Sequence, residues 1–572
     1  MILDNFFCEY LLSLQTYFTF QIMSHSTLKK TIFVLCTALI HISTAFAQKN
    51  VPIIVGIVIQ QMRYDAIKRY ASTMTEGGFM RILNQGAYCT NAYYDYMLTE
   101  PAPAYATIYT GANPSNHGIV SNTWYDRLTR KTMWAVRDNK YISVGCDNDA
   151  GKASPLMLQG TTLGDELRLS NFKQSKVISI SWNDYGAVLS GGRLANGAYW
   201  FDEKTGKMIS SSYYIGELPN WVQEFNNRDL PTNYMDRGWF TLKSASEYRA
   251  SLPDNSLYEN GIEGRSVFPY NLASMMRDKD TPLKVLKFTP WADDLINEFA
   301  IAAIDNEELG RDEFTDLLLI NFAAPGHISD VFGIRSMELQ DAYIRLDHTI
   351  AAILTNLDQR FGKGNYVVFF TGDRGASDSP MFMADMGMPG KQINLQTTMI
   401  LLEAYLRALY GDEKWVEKYT NHQVYLNHLA IERYKLPLQQ VQDMASQFLI
   451  QVEGIDHAMP SSILTTSHPS SGIWQQAANS FCRTRSGDII INLSPGWQDI
   501  SGQSTAFSCS AQNSAYNHDT HVPLAFYGRG IKMRTINRRV SITDITPTLA
   551  TLLRILCPDY SSGSAIQEIV DD

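Results

Sequence analysis

The chain predicts an α/β fold, a mainly parallel central sheet flanked by helices and carrying cap insertions. Two observations carry this expectation. Short β-branched and aliphatic runs at residues 52–59, 316–322 and 366–370 each end in a polar or glycine-containing loop, and helical patterns follow, as expected of strands buried on both faces. The composition, 45% hydrophobic and 19% charged over 572 residues with no long polar tract, supplies a large core and no sign of disorder.

The N-terminus reads as a leader. Lys29-Lys30 precede the apolar run from Thr31 to Ile40, and Ala45-Phe46-Ala47 places small residues where a signal peptidase cuts. Met23 gives a leader of ordinary length, and the apolar run is short for a bilayer. Residues 1–47 are therefore expected to be leader and signal peptide, cleaved near Ala47. The rest is expected to be exported to the periplasm or secreted, with no stable membrane anchor.

Residues 48–572 are expected to form one α/β domain with insertions at about 198–300 and about 390–475. The first stretch is aromatic-rich and irregular, with Trp200, Trp221, Trp239 and Trp291; the second is more helical. The segment 336–347 continues into 350–354 with one apolar stripe, which predicts a helix packed on the sheet and no chemistry. The 58 acidic residues outnumber the 48 basic ones, a net charge of −10, which speaks against a nucleic-acid partner. After leader removal Cys89, Cys146, Cys482, Cys509 and Cys557 remain, an odd set without C-x-x-C or zinc-finger spacing. A Cys482–Cys509 disulfide and buried free thiols both stay open for them.

In open parallel sheets ligands sit beyond the carboxyl ends of the strands, so the residues after these runs are the candidates for a site. The markers are Gln61-Met62-Arg63-Tyr64-Asp65, Ile108-Tyr109-Thr110-Gly111, Asn116-His117-Gly118-Ile119, Asn122-Thr123-Trp124-Tyr125-Asp126-Arg127, Thr162-Leu163-Gly164-Asp165-Glu166-Leu167, Ala198-Tyr199-Trp200-Phe201-Asp202 and Asp519-Thr520-His521-Val522-Pro523-Leu524. In order and spacing this set resembles bacterial alkaline phosphatases of the phosphate-irrepressible type, relatives of the nucleotide pyrophosphatase/phosphodiesterases. The resemblance implies an alkaline-phosphatase-like fold and a site of two zinc ions. Asp and His side chains hold the metals, and a nucleophile stands at a helix start where unpaired N–H groups favour an anion.

Carried over position by position, that site is degraded here. Gln60 stands where the resemblance places an aspartate ligand, and Pro101, which has no hydroxyl, stands at the nucleophile. An aspartate and a histidine four residues later match Gly326 and Asp330. Of the later Asp-His pair Asp373 remains, but Arg374 replaces the histidine and has no lone pair for a metal. The last histidine falls on Gln512. The Lys-x-Arg pair that grips phosphate falls on Asn183 and Tyr185, while Asn122 is retained. Asp373 and Asp330 are the two plausible metal-binding remnants, so no cofactor is expected although the family uses two zinc ions.

Arg374 is expected either to pair with Asp330 or Asp373 in place of the metal charge, or to turn to solvent. Thr99 and Thr107 read as cap or core hydroxyls, His327 as a loop histidine, and His117, His518 and His521 as packing or hydrogen-bonding residues. The sequence thus points to an exported pseudo-phosphatase with a binding role, a small anionic or phosphate-ester ligand and no identified protein partner. The alternative is an active phosphomonoesterase or phosphodiesterase using a repositioned metal site.

Overall fold

Ten strands form the central sheet of the structure, a computed structural model that describes residues 51–275, 281–467, 469–501, 509–510 and 512–570. The leader expected over residues 1–47 lies outside the described residues. In chain order the strands are β1 (Ile53–Ile59), β2 (Ala87–Tyr93), β3 (Ser143–Val144), β4 (Val177–Ser181), β5 (Gly197–Asp202), β6 (Lys207–Ser211), β7 (Asp316–Phe322), β8 (Val367–Gly372), β9 (His521–Gly528) and β10 (Arg534–Ser541). They lie in the order β10-β2-β9-β8-β1-β7-β4-β5-β6-β3. The five central strands, β8, β1, β7, β4 and β5, pair in parallel; β6 and β3 add antiparallel pairs on one side, and on the other β9 is antiparallel to β8 and β2 while the edge pair β2–β10 is parallel. This is the mainly parallel α/β sheet that the β-branched runs predict.

Every residue of β1 is buried, and its alternating side chains enter two different cores. Val55, Ile57 and Ile59 pack with Phe299, Ile328 and Leu346 on one face; Ile54 and Val58 pack with Ala102, Tyr105 and Ile108 on the other. A strand covered on both sides has no polar alternation to show, which is why its sequence reads as a continuous apolar run.

Eight helices matter to the site and its surroundings: α1 (Pro101–Thr110), α2 (Asp184–Gly191), α3 (Leu230–Arg237), α4 (Trp291–Asn306), α5 (Ala324–Phe332), α6 (Met337–Phe361), α7 (Leu395–Tyr410) and α8 (Leu438–Leu449). Pro101 opens α1 at a position that needs no N–H, and Gly111, at φ 68°, closes it in the left-handed region. Helix α6 starts at Ser336, whose side chain accepts from the Leu339 N–H, and presents the apolar stripe read from its sequence to the sheet.

The two stretches read as insertions divide differently in space. Strands β5 and β6, within residues 198–300, belong to the central sheet, and α4 packs into its core. The added cap elements therefore run from about 212 to 290. The second stretch builds a lobe with its own core on α7 and α8 and a four-stranded antiparallel sheet. Its strand Ile489–Leu493 pairs with Gln423–Leu426 and Ile455–Pro460, so the lobe reaches past residue 475.

Candidate functional site

Strand register brings the separated candidates together. Ile59, the last residue of β1, lies opposite Gly372 of β8 and Phe322 of β7, so three parallel strands end at one level. Gln60 follows the first, Asp373 and Arg374 the second, and α5 with Gly326 and Asp330 the third. The Gln60 N–H donates to Phe322 O at 2.9 Å and the Asp373 N–H to Ile59 O at 3.2 Å, which fixes the exits from the sheet. Ser181 of β4 pairs with Asn321, so Asn183 and Tyr185 leave from the same edge.

Gln61 ties these exits into one network. Its backbone sits at φ 54°, an uncommon conformation for a side-chain-bearing residue, and its N–H donates to Asp373 Oδ1 at 2.7 Å. Its side-chain Nε2 donates to Asp330 Oδ1 at 3.1 Å and to Gln512 Oε1 at 2.8 Å, while Ser329 donates to its Oε1. Arg374 closes the network, with Nη1 2.6 Å from Asp373 Oδ2 and Nε donating to Gln512 Oε1 at 2.7 Å. Asp373 is 0% and Arg374 3% exposed, so the pair is buried and not turned to solvent. Burial lifts the Asp330 and Asp373 carboxyls above their usual range, and Arg374 opposes the rise at both. Burial also works against the charge on Arg374, but the two carboxylates outweigh it and hold the guanidinium protonated.

Gln60 and Gly326 touch directly. A Cβ on Gly326 would stand 2.4 Å from Gln60 Cγ and 2.7 Å from its Cδ, so the glutamine side chain fills the space any larger residue would need. Gln60 Oε1 is buried and has no hydrogen-bond partner.

The start of α1 is closed as well. Pro101 supplies no N–H, and the Ala102 N–H donates to Asn122 Oδ1 at 2.9 Å. Glu100 accepts from Ser121 Oγ at 2.7 Å and from the Asn122 N–H at 2.6 Å, and its burial raises the carboxyl above its ordinary value. Asn183 Nδ2 is buried without a partner, and the Tyr185 ring lies 6.2 Å from that of Tyr105. Sequence reasoning missed Gln61, Ser329 and Glu100. Gln61 sat inside a recognised motif, yet its bridging role depends on a positive φ that no pattern announces.

The other hydroxyls and histidines fall outside this network. Thr107 Oγ1 lies 3.1 Å from His117 Nε2, whose Nδ1 accepts from the Ile119 N–H; burial drives the His117 imidazole down to about 3. Thr99 is fully buried. His327 lies on α5 and not on a loop, because the helix starts at Ala324, and burial lowers it to about 3. His518 meets Ser514 Oγ at 3.2 Å, and His521 stacks between Tyr64 and Tyr93 at 4.2 and 4.3 Å. Cys482 and Cys509 are separate thiols, the latter with Sγ 3.1 Å from Val331 O.

The residues at these positions do not fit a pair of zinc ions. Two amides, a proline ring, a glycine and a guanidinium occupy ligand positions, and Arg374 already holds one of the two carboxylates. Among the described residues no group of three or more His, Cys, Asp or Glu is placed to hold a metal.

Comparison with known proteins agrees with the fold. Residues 54–521 match the family described as Type I phosphodiesterase / nucleotide pyrophosphatase. The chain is 35% identical over 522 residues to alkaline phosphatase PafA of Elizabethkingia meningoseptica, covering 91% of this chain and 94% of that protein. It is 34% identical over 524 residues to alkaline phosphatase PhoV of Synechococcus elongatus, covering 91% and 92%. The crystal structure of wild-type PafA aligns with a TM-score of 0.86 at 34% identity, over 92% of this chain and 100% of that one. The chain therefore belongs to the type I phosphodiesterase/nucleotide pyrophosphatase family, within the alkaline phosphatase superfamily.

Proposed function

We propose that this chain is a non-hydrolytic member of its family, an exported pseudo-phosphatase with a binding role. The observation that carries the reading is Arg374, a permanent cation bonded to Asp373 and Gln512 at positions where the family resemblance places metal ligands. A guanidinium placed there balances carboxylate charge without a metal, and Pro101 leaves no oxygen to attack a phosphoryl group. Export rests on the Ala45-Phe46-Ala47 leader pattern; no helix among the described residues is long and apolar enough to cross a membrane.

The ligand class we propose for the old cleft is a small phosphate ester. Asn183 Nδ2, buried and unpartnered, and Tyr185 replace the cationic grip with neutral groups, so binding there is expected to be weak. The similarity to proteins named alkaline phosphatases favours a second reading, an active phosphomonoesterase or phosphodiesterase with a repositioned metal site. Assay of the purified mature chain on an activated aryl phosphate and on the corresponding diester, with added Zn²⁺, separates the two. Our reading predicts background rates on both; sustained turnover that scales with enzyme supports the second.

A further inference from the structure

One surface segment carries a chemistry that the network at the strand ends does not use. Met381, Met383, Met386 and Met388 stand within eight residues, in a chain with 21 methionines among 572 residues. Met381, Met386 and Met388 are 40, 57 and 42% exposed, and among the described residues Met533 is the one other exposed methionine. Elsewhere the chain keeps this residue type buried or half-buried, so three exposed on one short segment call for a cause.

The segment is a short helix, Pro380–Asp385, and the turn that ends it. Ser379 Oγ accepts from the Phe382 N–H at 3.2 Å, and Phe382 anchors the helix against Tyr258 and Arg335. At the other end Gly387, at φ 72°, donates to Ala384 O and Met388 donates to Met383 O, both at 2.9 Å. This pair of bonds folds the chain back and sets the residue after the turn against one in the last helical turn, here Met388 against Met383. Met386 lies three residues on from Met383 and shares its face, while Met381 lies on the opposite face. Met383 is held in place: a Cβ on Gly390 would stand 2.8 Å from its Cβ, and one on Gly496 3.0 Å from its Sδ. The strand Lys391–Ile393, which follows the turn, pairs with Trp497–Asp499 and fixes the segment further.

The donor atoms narrow the ligand. A thioether is uncharged, soft and carries no proton, so it is a poor ligand for Mg²⁺ or Ca²⁺, which take oxygen, and for Zn²⁺, which takes imidazole, thiolate or carboxylate. The nearest carboxylate in the chain, Asp385, accepts from the Tyr258 hydroxyl at 2.8 Å. Apolar contact alone would not select sulfur, since leucine or isoleucine offers similar area. Thioethers favour Cu(I), and the long unbranched side chains of Met386 and Met388 can swing toward the sulfur of Met383. We infer that Met383, Met386 and Met388 form a site for Cu(I), bound through three thioether sulfurs. This site uses none of the old metal positions, so its success or failure leaves the proposed loss of phosphatase chemistry untouched.

The test is anaerobic competition for Cu(I) between the mature chain and the coloured chelator bicinchoninate, with ascorbate present. Exposed Cys557 is first blocked with N-ethylmaleimide, because a thiolate also binds Cu(I). The proposal expects withdrawal of about one Cu(I) per chain, with the same affinity at about pH 6 and about pH 7.5 because no ligand loses a proton. Met383→Leu, Met386→Leu and Met388→Leu together, which keep side-chain volume, should weaken it about tenfold or more, while Met381→Leu leaves it unchanged. Unfolding midpoints check the fold; Met386→Leu and Met388→Leu, at exposed positions, carry the test alone if the triple variant unfolds. No withdrawal of Cu(I), or withdrawal unchanged in the folded methionine variants, overturns the proposal. An affinity that falls with pH overturns it equally and assigns the binding to imidazole or thiolate.

Discussion

The Gln60 side chain occupies the space that a Cβ on Gly326 would need, 2.4 Å from its Cγ. Two positions far apart in sequence, which the family resemblance assigns to metal ligands, therefore hold residues that fit each other. A large amide at residue 60 requires hydrogen at residue 326.

That complementarity predicts strong coupling. In most helices Gly→Ala stabilises by about 1 kcal/mol, but Gly326→Ala should destabilise the chain by roughly 1–3 kcal/mol because the buried glutamine has to move. Adding Gln60→Ala should recover most of the loss. Urea unfolding of the wild type, both singles and the double variant measures the coupling energy; additive effects would show that the contact is incidental.

Removing Arg374 should be more damaging than its removal from a surface site. Arg374→Ala leaves Asp373 buried beside Asp330 with no compensating charge, an expected loss of about 3–5 kcal/mol in thermal or chemical unfolding. Arg374→Ala combined with Asp373→Ala should lose less than the single variant, since only Asp330 is then left without the guanidinium.

Much of the fold is legible in the sequence. The apolar runs placed the central strands, and the motif order placed the residues that follow them, because buried parallel strands and the loops at their carboxyl ends leave direct marks in sequence. The contact between Gln60 and Gly326 was not legible, since it joins residues on different strand exits. Gln61 was hidden for another reason: its role depends on a backbone at φ 54°. Strands β5 and β6 were concealed inside an aromatic-rich stretch because their apolar partners lie on the sheet and not nearby in the chain.

A pH dependence follows from two neighbouring carboxyls, Glu259 in the cap and Glu338 on α6. Burial, with Glu338 and Asp254 adding to it, raises Glu259 to about 9; both its oxygens are buried without partners. Burial likewise raises Glu338 to about 8, although the Tyr270 hydroxyl donates to its Oε1 at 2.5 Å. Cys509, Asp341 and Tyr248 also face this cluster and provide no cation. Both folded values exceed the ordinary 4.5, so the native state retains protons that the unfolded chain has lost. Stability from these groups is full near pH 4.5 and falls as pH rises toward 8 to 9, by at most about 1.4 kcal/mol per pH unit for each group. Glu259→Gln and Glu338→Gln should each flatten the slope of unfolding free energy against pH; an unchanged slope would show that the carboxyls are not its source.

Restoring a single position should restore nothing. Pro101→Thr alone should stay at background on an aryl phosphate, because a nucleophile without its metals has no activation. The combined variant Gln60→Asp, Pro101→Thr, Gly326→Asp, Asp330→His, Arg374→His and Gln512→His is expected to regain zinc binding, measured by metal content after dialysis. Zinc binding by Pro101→Thr alone would contradict the site-wide account.

The most direct test is the zinc content of the unaltered mature chain after exposure to excess Zn²⁺ and removal of loosely bound metal. The account predicts far less than one zinc per chain and an unfolding midpoint unmoved by chelator. A stoichiometry near two per chain, with a midpoint that falls when the metal is stripped, would contradict it.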